Sequence, residues 1–66
     1  MNGEERRKSI RNILKLRKKV EFFELFEELS RPYVVATFLS ILEMAKSKEL
    51  TIKQENNFDK IYCEVA

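Results

Sequence analysis

The residue types that carry out most enzymatic chemistry are scarce in this sequence. It has no histidine and a single cysteine, Cys63, so it can form neither a zinc site nor a cysteine–histidine nucleophile pair. Its single glycine also excludes a glycine-rich phosphate loop. Glu24, Glu27 and Glu28 form an acidic cluster, but no partner group converges on them, and a solvated helix face is the simpler interpretation. The sequence therefore predicts that the protein is not an enzyme and binds no metal or cofactor.

Cys63 lies in a stretch where apolar and polar residues alternate, with Ile61 and Val65 on its own side. We expect it to be a small buried apolar side chain. A lone cysteine cannot close an internal disulfide, and a secreted chain of 66 residues normally needs several. No apolar run approaches the roughly 20 residues of a membrane span, and nothing resembles a signal peptide. These features predict a cytoplasmic protein without a membrane segment.

Charge is distributed unevenly along the chain. Residues 1–19 hold eight basic and two acidic side chains, a net charge of +6, whereas residues 20–66 carry −4. A basic N-terminal segment is typical of proteins that contact phosphates or an acidic protein surface. A solvated helix face with a charged turn is the simpler explanation, and it requires no binding role.

Hydrophobic spacing predicts a single α+β domain over residues 1–66, with the helices preceding a hairpin. Helical spacing recurs three times, and alternation with a period of two follows near the C-terminus. Glu55, Asn56 and Asn57 supply the turn of the hairpin. This order, with a short first strand near Val20, is that of a winged helix with three helices and a β-hairpin wing. The predicted helices span 4–18, 23–29 and 31–47, and the predicted strands span 50–54 and 60–65.

The third predicted helix has two uncharged faces. Steps of 100° place the larger apolar side chains on one face, which we expect to be buried: Val34, Val35, Phe38, Ile41, Leu42 and Ala45. The opposite face is small and weakly polar, and carries Tyr33, Ala36, Thr37, Ser40 and Met44. Such a face is suited to packing against another protein, although it is equally consistent with a bland exposed surface or with cover by the first helix. The expected core of the domain is Phe22, Phe26, Phe38, Leu42, Ile52, Phe58 and Ile61.

The third predicted helix also bears on DNA binding. Residues 33–45 contain no Arg, Lys, Asn or Gln, the side chains with which a winged helix usually reads base edges in the major groove. Sequence-specific DNA binding is therefore not expected.

Three segments resemble the C-terminal winged-helix domain of the bacterial-type kleisins, the segregation and condensation protein A family. Residues 34–44, VVATFLSILEM, are similar to a third-helix signature that reads approximately VVTFLALLEL. They depart from it at Ala36 and at Ser40. Residues 50–62 resemble the closing hairpin of the family, with its Gln-Glu pair, its Phe and its Ile-Tyr, and residues 23–26 resemble its second helix.

The resemblance implies a non-catalytic docking role in chromosome condensation and segregation, and so in the cell cycle. In these kleisins the C-terminal winged helix binds the ATPase head of an SMC protein. The N-terminal domain binds the neck of the partner SMC subunit, and the middle segment binds the accessory protein ScpB. The resemblance therefore predicts an SMC head as the partner, ScpB only in the full-length complex and not through this domain, weak or indirect contact with DNA, and association with the nucleoid.

The docking surface and one alternative function complete the sequence-based hypothesis. The uncharged helix face and the resemblance together predict a partner-binding surface of Tyr33, Ala36, Thr37, Ser40 and Met44, joined by Tyr62 on the wing strand. The alternative is a nucleic-acid-binding winged helix that uses the basic first helix.

Overall fold

The computed structural model describes residues 3–54 and 60–66. The predicted turn at 55–57 and the predicted core residue Phe58 lie outside the described residues. Within them, no helix is long and apolar enough to cross a bilayer. The elements are α1 (Gly3–Arg17), β1 (Lys19–Glu21), a 3-10 helix (Phe22–Leu25), α2 (Arg31–Lys46), β2 (Leu50–Gln54) and β3 (Ile61–Val65).

The second of the three predicted helices is not an α-helix. A single 3-10 turn replaces it, and residues 26–30 that follow have no regular structure. Glu21 caps the start of the turn, and its backbone N–H donates to the Glu24 carboxylate at 3.0 Å. A helix this short has too few hydrogen bonds to be stable alone and depends on packing, but only Leu25 of this turn is buried. The predicted count of three helices, with the second over 23–29, is therefore not confirmed, because the segment buries too little apolar surface to stabilise a longer helix.

Both α-helices are followed by a lysine in the left-handed region of backbone space. The φ angles are 69° at Lys18 and 66° at Lys48. After α1, the Lys18 N–H donates to the Leu14 carbonyl at 2.8 Å; after α2, the Glu49 N–H donates to the Met44 carbonyl at 2.8 Å, as in a Schellman motif. Glycine is favoured at such a position, and any other side chain costs about 1 kcal/mol. The chain turns without glycine at both helix ends, at a small cost in stability.

The sheet is antiparallel with strand order β1-β3-β2. Val20 of β1 and Ile52 of β2 both lie opposite Cys63 of the central strand. Since side chains alternate along a strand, the side of the sheet that carries Val20 and Cys63 faces the helices, and both residues are buried. Tyr62 points to the other side.

The core lies where α1, α2 and this side of the sheet meet. It consists of Ile10, Leu14, Val20, Leu25, Ile41, Met44, Leu50 and Cys63. This set differs from the core predicted from sequence. Phe38 and Leu42 of the predicted core are 45% and 44% exposed, and Ile52 and Ile61 are exposed as well. Phe22 and Phe26 are only partly buried and pack against the edge of the core.

Candidate docking site

The face of α2 that was predicted to be exposed is the buried face. Tyr33, Thr37, Ser40 and Met44 are each at most 5% exposed. The prediction that they form an outward-facing partner-binding surface is therefore wrong. Ile41 is buried as expected, but it lies at the edge of the predicted face, so α2 is rotated about its axis relative to the sequence-based prediction.

A buried arginine on α1 explains this rotation. Arg6 is 6% exposed, and its Nε donates to the Thr37 hydroxyl at 2.9 Å. Its Nη2 donates to the Leu25 carbonyl at 3.2 Å, and its guanidinium carbon lies 4.2 Å from the centre of the Tyr33 ring. A buried guanidinium is tolerated only where its donors are satisfied. The weakly polar face of α2 supplies these contacts, and the apolar face does not.

Glu27 completes the network around Arg6. Its Oε1 accepts hydrogen bonds from Ser9 Oγ and Tyr33 Oη, both at 3.1 Å, and lies 3.3 Å from Arg6 Nη2. The hydrogen bonds from Ser9 and Tyr33, with the charge of Arg6, lower the pKa of the Glu27 carboxyl. Among the described residues, every buried side-chain polar atom has a hydrogen-bond partner. The polar face of α2 therefore has a structural role inside the domain.

The two remaining residues of the predicted site lie on separate surfaces. Ala36 is half-buried and lines a shallow groove between the start of α1 and α2. Tyr62 is half-buried on the outer side of the sheet, with Lys19 Nζ 4.6 Å from the centre of its ring. The structure does not bring the six predicted residues together on one exposed surface.

The opposite face of α2 and the 3-10 segment form an exposed apolar groove, which we name the phenylalanine groove. It encloses about 550 Å³ and is lined by Phe22, Phe23, Phe26, Leu29, Val34, Val35, Phe38 and Leu39. Among the described residues, no charged side chain lines it. Phe22 is at its centre, with ring centroids 5.4 Å from Phe23, 5.2 Å from Phe26 and 6.3 Å from Phe38.

The phenylalanine groove is unusually accessible for an apolar surface. Phe23 and Leu29 are 71% and 83% exposed, and Leu39 is 53% exposed. Val35 and Leu39 also line the shallow groove beside Ala36, so the apolar surface continues over the outer ridge of α2. A contiguous exposed apolar surface that includes aromatic rings is typical of a protein interaction site.

The arginines of α1 are used within the domain. Arg7 pairs with Glu43 at 3.0 Å, and Arg17 pairs with Glu24 at 2.8 Å. Arg11 makes two hydrogen bonds to the Glu49 carboxylate, at 2.6 and 3.0 Å, which lower the pKa of Glu49. The positive N-terminal segment and the negative remainder of the chain therefore attract each other. This pairing reduces the charge that the arginines offer to nucleic acid.

Comparisons with known proteins identify the family. The family model of segregation and condensation protein ScpA matches residues 3–66. The chain belongs to the ScpA family. It is 45% identical over 60 residues to segregation and condensation protein A of Bacillus licheniformis, and 44% identical over 45 residues to that of Bacillus cytotoxicus. These matches cover 89% and 68% of this chain but only 24% and 18% of the relatives.

The same fold occurs in a solved structure. The C-winged helix domain of ScpA, crystallised bound to the SmcHead, superimposes with a TM-score of 0.69 and 23% identity. The alignment covers 97% of this chain and 93% of that domain. The ScpA-family chain thus has the mixed helix and antiparallel-sheet fold of this winged-helix domain.

Two further predictions concern chemistry. Cys63 is fully buried, which confirms its prediction as a core residue, and burial raises the pKa of its thiol to about 11. Within residues 3–54 and 60–66, no group of three or more histidine, cysteine, aspartate or glutamate side chains is arranged to hold a metal ion.

Sequence reasoning missed the phenylalanine groove, although the chain contains a signal for it. Arg6 precedes Ile10 and Leu14 at intervals of four residues, so it shares their helix face and points toward the core. A buried arginine requires polar neighbours, and Thr37 and Tyr33 on α2 are the residues that meet this need. The opposite, apolar face of α2 is then left outside.

Proposed function

We propose that this domain docks on the ATPase head of an SMC protein through the phenylalanine groove, as a non-catalytic part of a chromosome condensation and segregation complex. The observation that carries the proposal is the exposed apolar face of α2, next to the clustered rings of the 3-10 segment. The family supports it, because the ScpA domain with the same fold is crystallised bound to the SmcHead.

The composition of the groove matches that of interaction hot spots. Aromatic side chains in a desolvated pocket contribute most of the binding energy of many protein interfaces, and charged residues are depleted at their centres. The phenylalanine groove has four phenylalanines and no charge among its lining residues. Each of these phenylalanines is only partly buried in the isolated domain. A partner that covers the rings would remove further apolar surface from water, which favours binding.

The role of the domain within a complete complex follows from its coverage of the relatives. The chain spans about a quarter or less of the curated relatives it matches, and the proposal for it concerns the head-docking step. Contact with ScpB and with the neck of a second SMC subunit would require other parts of such proteins. Its place of action would be the nucleoid in the cytoplasm.

Two leucine-to-arginine substitutions test this surface. Leu39→Arg places a charge in the groove, and Leu16→Arg makes the same change at a position of α1 that is 84% exposed and lies outside the groove. We expect Leu39→Arg to weaken binding to a purified SMC head by 30-fold or more, on the order of 2 kcal/mol at a hot spot. Binding is measured by isothermal titration calorimetry, and folding by circular dichroism.

The outcomes separate two questions. Loss of binding in folded Leu39→Arg, with normal binding of Leu16→Arg, supports the phenylalanine groove as the docking site. If both variants bind as the unmodified domain does, docking uses another surface. If the unmodified domain itself does not bind the SMC head, the proposed function is wrong.

A further inference from the structure

A second cavity lies where the C-terminal ends of α1 and α2 meet. It encloses about 370 Å³, and three lysines are among its lining residues: Lys15, Lys18 and Lys48. We name this the lysine cavity. Among the described residues, it has no lining residue in common with the phenylalanine groove, so the two are separate surfaces.

The lysines of this cavity differ from the arginines of α1. Arg7, Arg11 and Arg17 each have a carboxylate partner. Within the described residues, no ion pair or hydrogen bond involves the ammonium groups of Lys15, Lys18 or Lys48. Glu49 is the acidic side chain in the wall of the cavity, and both of its oxygens are hydrogen-bonded to Arg11. The three ammonium groups are therefore available to an anionic ligand.

Two of the three lysines occupy the left-handed positions that end the helices. Lys18 and Lys48 have positive φ angles, where glycine is the favoured residue. Cations near a helix C-terminus gain from the helix dipole, which offsets part of the strain. Both of these strained positions hold a lysine that lines the same cavity. Backbone strain of this kind is often retained where it supports a function.

We propose that the lysine cavity binds backbone phosphates of duplex DNA without reading its sequence. Lysine ammonium groups act as point charges for phosphate, and the guanidinium of Arg11, which also lines the cavity, is held by Glu49 at 2.6 Å and is not offered to a base edge. Leu14 and Met44 beneath the cavity are buried, and Val65 at its rim is 41% exposed. The lysine ammonium groups are the unpaired side-chain charges around this cavity in the described part of the chain, and duplex DNA presents a high density of negative charge to them.

The salt dependence of binding provides the first test. Three phosphate contacts predict a slope of about −2.7 in a plot of log K against log salt concentration, hence an affinity roughly 40-fold lower at 200 mM than at 50 mM salt. Binding of the 66-residue chain to a fluorescein-labelled 20-base-pair duplex is measured by fluorescence anisotropy. Two duplexes of unrelated sequence should bind equally well.

Variants that keep the fold test the site itself. Lys18→Gly combined with Lys48→Gly removes two charges while relieving both left-handed positions. We expect an unchanged or higher melting temperature and a salt slope that falls to about −0.9. Lys15→Gln is compared with Lys8→Gln, which removes the same charge from the exposed part of α1 outside the cavity. Lys15→Gln should weaken binding several-fold more than Lys8→Gln.

Specific outcomes would overturn the proposal. Equal effects of Lys8→Gln and Lys15→Gln would show that binding reflects only the overall positive charge of α1. A normal salt slope in the double glycine variant would exclude the lysine cavity. Stronger binding to polyglutamate or to phosphatidylserine vesicles than to duplex DNA would assign the cavity to an acidic protein or a membrane surface. None of these measurements uses an SMC head, so they do not depend on the proposed docking function.

Discussion

The two opposite faces of α2 are buried and exposed in the reverse of the order that their hydropathy indicates. The inward face carries hydroxyl groups and contacts a buried guanidinium, whereas the outward face carries Val35, Phe38 and Leu39. The inward face is stabilised by a fully satisfied hydrogen-bond network. The outward face is only partly covered in the isolated domain, with Val35, Phe38 and Leu39 each about half exposed. In this small domain, therefore, the more apolar side of α2 is the exposed side, and the more polar side is part of the core.

The largest expected difference in stability is between substitutions at two adjacent residues, one on each face of α2. Ser40 is buried, with its hydroxyl donating to the Ala36 carbonyl at 2.7 Å, whereas Leu39 is 53% exposed. Ser40→Arg places a long unpaired cation in the core and should destabilise the domain by about 4 kcal/mol or more, enough to unfold it. Leu39→Arg should leave the melting temperature nearly unchanged. Thermal circular dichroism measures both, and a folded Ser40→Arg variant would contradict the assignment of the inward face.

Removal of the buried Arg6 guanidinium tests why the weakly polar face of α2 is the buried one. Arg6→Ala leaves Thr37 and the Leu25 carbonyl without their donor and should cost about 2–4 kcal/mol. Arg7→Ala is the matched control, because it breaks an ion pair with Glu43, whose side chain is 64% exposed, and should cost less than about 1 kcal/mol. Urea unfolding of both variants measures the difference. Equal losses would indicate that Arg6 is not specifically required.

Exchanging threonine and valine between the two faces of α2 tests directly which face is part of the core. Thr37→Val keeps the shape of a buried side chain but removes the acceptor of the Arg6 Nε–H, and should cost about 1–3 kcal/mol. Val35→Thr changes an exposed side chain of the outward face and should stay within about 0.5 kcal/mol of the unmodified domain. Differential scanning calorimetry checks both changes. A hydropathy-based assignment of the core predicts the reverse order.

The smallest expected effect is the pH dependence contributed by Glu27. Its pKa is lower in the folded domain than the ordinary glutamate value, because it accepts hydrogen bonds from Ser9 and Tyr33. It therefore stabilises the fold above the unfolded-state pKa of about 4.3, and this contribution is lost as the pH falls through the lower folded-state value. Glu27→Gln should make the decrease in melting temperature between pH 5 and pH 3 shallower. An unchanged pH profile would show that Glu27 does not contribute.

Much of the local structure follows directly from the sequence. The strand over 50–54 is present with the predicted bounds, and the strand predicted over 60–65 is observed as Ile61–Val65. The burial of Cys63 follows from the alternation of β3. The period of two identifies these features because it reports directly which residues share a side of a strand. The motifs at residues 23–26, 34–44 and 50–62 are likewise sufficient to indicate the family, which the match over residues 3–66 confirms.

The orientation of α2 does not follow from the sequence pattern of α2 itself. Helical periodicity shows which residues share a face, but it does not show which face meets α1 when neither carries a charge. The choice is made by contacts between residues far apart in the chain, above all Arg6 with Thr37 and with Tyr33. The sequence by itself determines the two α-helices, the strands of the hairpin, the sides of those strands and the family. The tertiary structure decides which side of α2 is buried, because a buried guanidinium needs hydrogen-bond partners that only one side provides.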